Sequence, residues 1–140
     1  MKTSGSKGFH IVVPLDGKKH VGEVARFGDA VGRLLVERNP EHLTQEFAKV
    51  DRVGRIYVDT GRNGFGATFA AVYAVRAKPG APVSAPCTWE ELARGDAGPT
   101  TFRLRGMASR INDVGDLWSQ MQGQSLERAI EQLHRLSSGG

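Results

Sequence analysis

The stretch from Arg55 to Thr68 places the tightest limits on how this chain folds. Its apolar run Ile56-Tyr57-Val58 predicts a strand, which delivers Asp59 into a glycine-rich turn that also carries Arg62 and Asn63. Glycine backbone lets an anion approach closely, arginine can hold two phosphate oxygens at once, and a strand-end carboxylate suits a divalent metal. The alternative is ordinary turn chemistry, in which Asp and Asn beside Gly only shape the backbone.

The N-terminal residues 3–8 are rich in serine, glycine and lysine and lead directly into an apolar run at 11–15, with His10 at its start. Backbone N–H groups, hydroxyls and an ammonium group together suit phosphate oxygens. The same composition is also typical of a flexible tail. The abrupt predicted strand behind it favours an ordered loop, and a chain that begins on such a loop is expected to be part of a larger domain.

Size and charge narrow the class of protein. The 140 residues suit one domain, 1–140, with a real core, and the net charge of +4 suits an anionic partner such as nucleotide or nucleic acid. The single cysteine, Cys87, rules out an internal disulfide, and no apolar run is long enough to cross a membrane. We therefore expect a cytoplasmic protein without a membrane partner, associated with the nucleoid if it binds DNA.

Hydrophobic periodicity predicts the remaining elements. Apolar residues at helical spacing predict a helix over 19–37, and 41–50 suits a short helix or irregular segment. The short loop before 68–78 predicts that this segment pairs with 56–58 as an antiparallel hairpin. Thr88 and Glu91 have the spacing of a capping box, and Trp89 beside them suits a core residue, with a base-stacking platform as the alternative. The patterns further predict a strand at 101–105, helices at 107–121 and 125–136, and a frayed tail at 137–140.

Three motifs in order carry a resemblance to a known family. They are the N-terminal Ser-Gly-Ser-Lys-Gly-Phe-His run, the 55–68 stretch, and the segment 75–92 that begins Val-Arg-Ala-Lys-Pro-Gly-Ala-Pro. In them the chain resembles the C-terminal half of the polymerase (primase-like) domain of bacterial ATP-dependent DNA ligase D, of the archaeo-eukaryotic primase superfamily. The resemblance implies an α+β fold, a mostly antiparallel sheet flanked by helices, and a role in non-homologous end joining.

The resemblance also implies the site residues. Ser4, Lys7 and His10 match the motif that binds the triphosphate of an incoming nucleotide, and Asp59 matches a carboxylate that completes a two-metal site for Mn²⁺ or Mg²⁺. Phosphate-contacting side chains of the family fall on Arg62, Asn63, Arg76 and Lys78. Asp59 and His10 are thereby assigned to catalysis. Implied partners are nucleoside triphosphates, DNA ends, a ligase and an end-binding protein.

The chain also departs from the family pattern. Thr60-Gly61 stands in place of a bulky pair and is expected to loosen the strand end that carries Asp59, and Phe65 replaces a frequent arginine. No two aspartates of this sequence have the Asp-x-Asp spacing that supplies the family's other metal-binding carboxylates. Because one carboxylate does not hold two divalent ions, we expect no polymerase activity from this chain alone.

Three interpretations follow. The chain is one part of a primase-type nucleotidyltransferase, completed by a separate chain that carries the Asp-x-Asp half. Alternatively, it is a non-catalytic module that binds nucleotide or DNA, or the remnant of a truncated gene.

Overall fold

The computed structural model describes residues 1–138, which divide into two compact units. One unit, here called the loop unit, consists of Met1–Pro14 and Phe69–Gly123. The other, here called the helical unit, consists of Leu15–Thr68 and the chain from Gln124 onward. The elements in chain order are β1 (Lys2–Thr3), β2 (Phe9–His10), α1 (Val21–Arg38), β3 (Leu43–Thr44), β4 (Ile56–Tyr57), α2 (Trp89–Ala93), α3 (Met107–Val114) and α4 (Glu127–Ser138).

In the loop unit, β1 and β2 form a short antiparallel pair in which Lys2 lies opposite His10. The segment 83–85 lies against β1, since the Thr3 amide donates to the Ala85 carbonyl over 2.9 Å and the Thr3 hydroxyl to the Val83 carbonyl over 3.0 Å. Val83, Ala85 and Met107 form the buried core here, with two aromatic side chains packed against it. The N-terminal strand is thus held by the centre of the unit.

In the helical unit, α1 is the longest element, and it begins at a capping box. The His20 ring accepts a hydrogen bond from the Gly22 amide, while Glu23 accepts one from the His20 amide. Near its other end, Arg38 donates to the Leu136 carbonyl of α4 over 3.0 Å. The helix predicted at 19–37 is confirmed.

The α+β class is confirmed, but the sheet is smaller than expected. Among the described residues there are two two-stranded sheets, the antiparallel pair β1–β2 and the parallel pair β3–β4, in which Leu43 lies opposite Ile56. The predicted hairpin between 56–58 and 68–78 is wrong, because β4 pairs with β3. The turn that follows β4 is a 3-10 helix, Gly61–Asn63, and residue 73 adopts a left-handed backbone (φ 60°) that interrupts an extended strand.

Other predicted elements are shorter in the structure. The strand predicted at the apolar run 11–15 is not formed, since β2 ends at His10. The side chains of Ile11 and Val13 are exposed. The segment 41–50 contains β3 and the start of a 3-10 helix, Lys49–Arg52. The predicted strand at 101–105 is reduced to an isolated bridge, and a 3-10 helix covers Leu104–Gly106.

In the second half of the chain, the observed helices differ from the predicted ones in where they begin or end. The capping box of Thr88 and Glu91 is confirmed at the start of α2, but Trp89 is exposed, so its prediction as a core residue is wrong. The helix predicted over 107–121 ends at Val114, where Gly115 takes a positive φ. The last helix continues to Ser138, so it includes the first two residues of the tail that was predicted to fray. The other two residues of that tail, 139 and 140, lie outside the described chain.

Candidate functional site

A tight turn at residues 4–8 joins β1 to β2 and forms the centre of the candidate site in the loop unit. The Ser4 amide donates to the Gly8 carbonyl over 2.9 Å, and the Ser4 side-chain oxygen accepts from the amides of Ser6 and Gly8, each over 3.1 Å. The expected ordered loop is therefore present. The Ser4 hydroxyl organises the turn by accepting these two backbone hydrogen bonds, and its role in phosphate binding stays a prediction.

Basic side chains surround this turn. Lys7 projects from it and is exposed, and the Lys78 ammonium donates to the Ser6 hydroxyl. Within the described residues, no carboxylate forms an ion pair with Lys7, Arg76 or Lys78. The turn consequently carries positive charge that other groups of the unit do not neutralise, as an anion-binding surface requires.

Gly5 explains how Arg76 comes close to the turn. A Cβ atom built on Gly5 would lie 2.6 Å from Cγ of Arg76, and the Gly5 backbone is left-handed with φ 63°. A side chain at this position would therefore be strained and would force Arg76 to move. The Arg76 side chain therefore passes directly over the turn, where glycine alone leaves room for it.

His10 contacts Lys2 and Phe69 in the same unit. Its Nδ1 lies 2.9 Å from Nζ of Lys2, and its ring meets the ring of Phe69 edge-on with centroids 5.4 Å apart. Lys2 is fully buried and also donates to the Ala70 carbonyl over 2.7 Å and to the Ser84 hydroxyl. Burial, reinforced by the positive charge of Arg76, lowers the pKa of Lys2 to about 8.

Asp59, Arg62 and Asn63 lie in the helical unit, in the turn after β4. The Asp59 carboxylate accepts from the Gly61 amide over 3.1 Å, and its second oxygen lies 3.7 Å from Nε of Arg62. Both side chains are about half exposed, so the pair is a weak surface interaction. The Asn63 amide group donates to the Thr60 carbonyl over 2.9 Å, which helps to hold the turn.

This turn is anchored to α1, contrary to the expected loosening at Thr60-Gly61. The Thr60 hydroxyl donates to the Asp29 carboxylate over 2.6 Å. A Cβ atom built on Gly32 would lie 2.7 Å from the Thr60 methyl, and one on Gly28 would lie 2.7 Å from the Asn63 amide nitrogen. The two glycines, four residues apart on one helix face, let the turn pack directly on the helix.

The residues present do not by themselves fit a divalent metal site. Asp59 is one carboxylate, and Arg62 already lies beside it. Among residues 1–138, no three His, Cys, Asp or Glu side chains are grouped so that they could hold a metal ion. Mg²⁺ and Mn²⁺ need more anionic oxygens than Asp59 supplies.

Two residues of the loop unit were missed by sequence reasoning, Lys2 and Gly5. A lysine next to the chain start carries no sign of full burial, and its contacts with Ala70 and Ser84 join segments distant in sequence. The Gly5 requirement is likewise set by Arg76. Only a folded chain brings these residues together.

Comparison with known protein families identifies the family in which these motifs occur. A family model described as the LigD primase-polymerase domain matches residues 1–118, a range that includes every candidate site residue of both units. The chain belongs to this family. The family match and the resemblance carried by the three motifs therefore agree.

Members of the LigD family align with most of this chain. The multifunctional non-homologous end joining protein LigD of Pseudomonas aeruginosa is 38% identical over 125 residues, 88% of this chain and 15% of that protein. The LigD protein of Mycolicibacterium smegmatis is 29% identical over 88% of this chain and 16% of that protein. The chain thus spans about a sixth of the length of these curated relatives.

A solved LigD structure is also similar. It is the polymerase domain of Mycobacterium tuberculosis ligase D in complex with DNA, which matches with a TM-score of 0.79 and 30% identity. The match covers 86% of this chain and 41% of that one.

No helix in the described part of this chain is long and apolar enough to cross a membrane.

Proposed function

We propose that this chain is the nucleotide-binding part of a LigD-type DNA polymerase that serves non-homologous end joining. The observation that carries the proposal is the turn at residues 4–8, which gathers Lys7, Arg76 and Lys78 without an acidic partner among the described residues. A cluster of unneutralised cations beside a glycine turn suits the triphosphate of a nucleotide.

Within this cluster the roles follow from exposure and reach. Arg76, held over Gly5, offers a planar guanidinium that can hold two phosphate oxygens at once, and Lys7 and Lys78 offer point charges. Ser4 contributes by fixing the turn, and His10 offers a ring nitrogen beside it. Arg62, exposed in the helical unit, is a further candidate for phosphate contact.

Chemistry at a 3′-hydroxyl requires residues outside these 140. A divalent ion, when bound, would stabilise charge on the reacting phosphate, and Asp59 would supply one ligand to it. The remaining carboxylates, an Asp-x-Asp pair in the family, are absent from this sequence. We infer that catalysis depends on another polypeptide segment that carries them, and that DNA ends, an end-binding protein and a ligase are the partners of the complete assembly.

The triphosphate site is tested by titrating the chain with a nucleoside triphosphate in a calorimeter, with and without Mn²⁺. Wild-type chain should bind, and Arg76→Ala should weaken binding by about 10-fold to 100-fold, because a charge-assisted hydrogen-bond pair is lost. Arg94→Ala is the matched control. It removes the same charge from the loop unit at a guanidinium paired with Asp96, and it should leave affinity unchanged. Absence of binding by the wild-type chain would contradict the proposal.

The same titration distinguishes the polymerase part from a self-sufficient module. It is repeated after adding the remaining segment of a LigD polymerase domain, which carries the Asp-x-Asp pair. Tighter Mn²⁺-dependent binding with the added segment supports a polymerase completed by other residues. Equal binding with and without it identifies a non-catalytic nucleotide-binding module, and no binding in either case identifies a remnant.

A further inference from the structure

Lys2 has a set of contacts that fixes the direction of every hydrogen bond it makes. Its Nζ lies within hydrogen-bond distance of the Ala70 carbonyl, the Ser84 hydroxyl and Nδ1 of His10. Its side chain is fully buried, and Nζ also lies 5.2 Å from the centre of the Phe69 ring. An ammonium group has three N–H donors and no acceptor, so three acceptors match it completely.

Two of these partners can only accept. The Ala70 carbonyl has no hydrogen to give. The Ser84 hydroxyl donates its hydrogen to the Thr3 carbonyl over 2.8 Å, which leaves its oxygen as acceptor towards Lys2. The third ammonium hydrogen is therefore directed at His10 Nδ1, 2.9 Å away.

This contact decides the form of the His10 ring. A protonated Nδ1 would point its own hydrogen at the ammonium group, so the ring that fits is the neutral one with its proton on Nε2. Nε2 is then the hydrogen-bond donor of the ring. A donor is the form in which a neutral imidazole can bind a phosphate oxygen.

We propose that Lys2 is a positioning residue, which fixes His10 in the tautomer with the proton on Nε2 so that the ring donates to a nucleotide phosphate. The phosphate part of this inference rests on the proposed function, and the tautomer part does not. Among the described residues, His10 contacts Lys2 directly, and the positive charge of Arg76 acts on Lys2 as well. Below pH 8, where Lys2 is mainly charged, the contact has one possible direction.

The tautomer is tested on the wild-type chain labelled with ¹⁵N, by long-range proton–nitrogen correlation at pH 7. His10 should show a protonated Nε2 and an unprotonated Nδ1. His20 is an internal reference, since its Nδ1 accepts from the Gly22 amide over 3.1 Å and should give the same pattern. A His10 ring with its proton on Nδ1 would overturn the proposal, and this readout needs no substitution in the protein.

Variants then test the role of Lys2 itself. In Lys2→Met the fixed tautomer should give way to a mixture, and nucleoside triphosphate affinity should fall about tenfold. Ser84→Ala removes another polar partner of Lys2 and should keep the His10 tautomer. Lys2→Arg keeps a charged donor. In a folded Lys2→Arg chain, His10 should therefore keep its proton on Nε2.

Two outcomes separate the two proposals. If the wild-type chain binds no nucleotide while His10 keeps its proton on Nε2, the proposed function fails and the positioning by Lys2 stands. If the wild-type chain binds nucleotide and a folded Lys2→Met keeps both the tautomer and the affinity, the positioning role is wrong and the nucleotide site stands. Failure of Lys2→Met to fold leaves the decision to the wild-type spectrum.

Discussion

At Ser4 and Asn63, side chains that suit phosphate by type also shape the backbone. The Ser4 oxygen accepts two amide hydrogen bonds within its turn, and the Asn63 amide group donates to the Thr60 carbonyl. Lys2 shows the opposite case: it belongs to no motif, yet it contacts His10 and joins it to Ala70 and Ser84. A residue's type therefore limits its chemistry, but its contacts decide which part of that chemistry is available.

The buried charge of Lys2 should make stability rise with pH in a defined window. Its folded-state pKa of about 8 is below the ordinary 10.5, so between these values the unfolded chain binds a proton that the folded chain does not. The unfolding free energy should therefore increase from pH 8 to pH 10.5, by at most about 3 kcal/mol from this group. Lys2→Met should lack this increase, as measured by urea denaturation across the range.

Other groups titrate in the same window and are removed by comparing the two proteins. Burial raises the pKa of the Cys87 thiol, and burial together with the hydrogen bond to Asp116 raises the pKa of Tyr73 to about 12. Both lower stability as pH rises, since the unfolded chain loses these protons first. They are present in wild type and Lys2→Met alike. A pH dependence that is equal in the two proteins would contradict the assignment to Lys2.

At the scale of elements, α1 positions the Asp59 turn through the face that carries Gly28 and Gly32. Glycine inside a helix normally costs about 1 kcal/mol relative to alanine. Here a Cβ at Gly32 would lie 2.6 Å from the Gln45 amide nitrogen and 2.7 Å from the Thr60 methyl. Gln45 is flexible, but the Thr60 methyl is fixed by the hydroxyl bond to Asp29. The close approach therefore requires glycine at this position.

We accordingly expect Gly32→Ala to destabilise the chain by about 1–2 kcal/mol, where a free helix position would gain about 1 kcal/mol. Thr60→Ser keeps the hydroxyl and removes the methyl, so the cost of Gly32→Ala should be smaller in the Thr60→Ser background. Urea denaturation of the wild type, both single variants and the double variant measures this coupling. Additive effects would show that the methyl does not set the requirement for glycine.

At the scale of the whole molecule, the candidate residues are divided between the two compact units. Ser4, Lys7, His10, Arg76 and Lys78 belong to the loop unit, whereas Asp59, Arg62 and Asn63 belong to the helical unit. The matched polymerase domain of ligase D is longer than this chain, which covers 41% of it. Under the proposed function, substitutions in the loop unit should change nucleotide binding, whereas substitution of Asp59 in the helical unit should change catalysis by the completed polymerase.

Asp59 should matter for catalysis in the completed domain. With the remaining segment of a LigD polymerase domain added, Asp59→Asn should lower primer extension by more than 100-fold, on the order of the loss expected when a metal ligand is removed. Asp51→Asn removes an equal charge from an exposed position of the same unit and should leave extension unchanged. Primer extension at the wild-type rate by Asp59→Asn would disprove the assignment of Asp59 as a ligand.

The sequence by itself determined the family, the α+β class, the extent of α1 and the capping box of α2, because motif order, hydrophobic period and cap spacing are local properties. It also predicted that the N-terminal loop 3–8 is ordered, as the turn at residues 4–8 is in the structure. It misplaced the partner of β4 and the exposure of Trp89. Strand pairing and burial depend on which distant segment covers a given face, and local patterns do not contain that information.

The tertiary structure alone decided how the site residues are supported. Gly5 is required because Arg76, distant in sequence, passes over it, and Lys2 is buried because Ala70 and Ser84 meet it. Thr60, predicted to loosen its turn, secures it through Asp29. In each case two segments far apart in the chain must be adjacent before a hydrogen bond or a steric limit exists, so the physical cause arises only on folding.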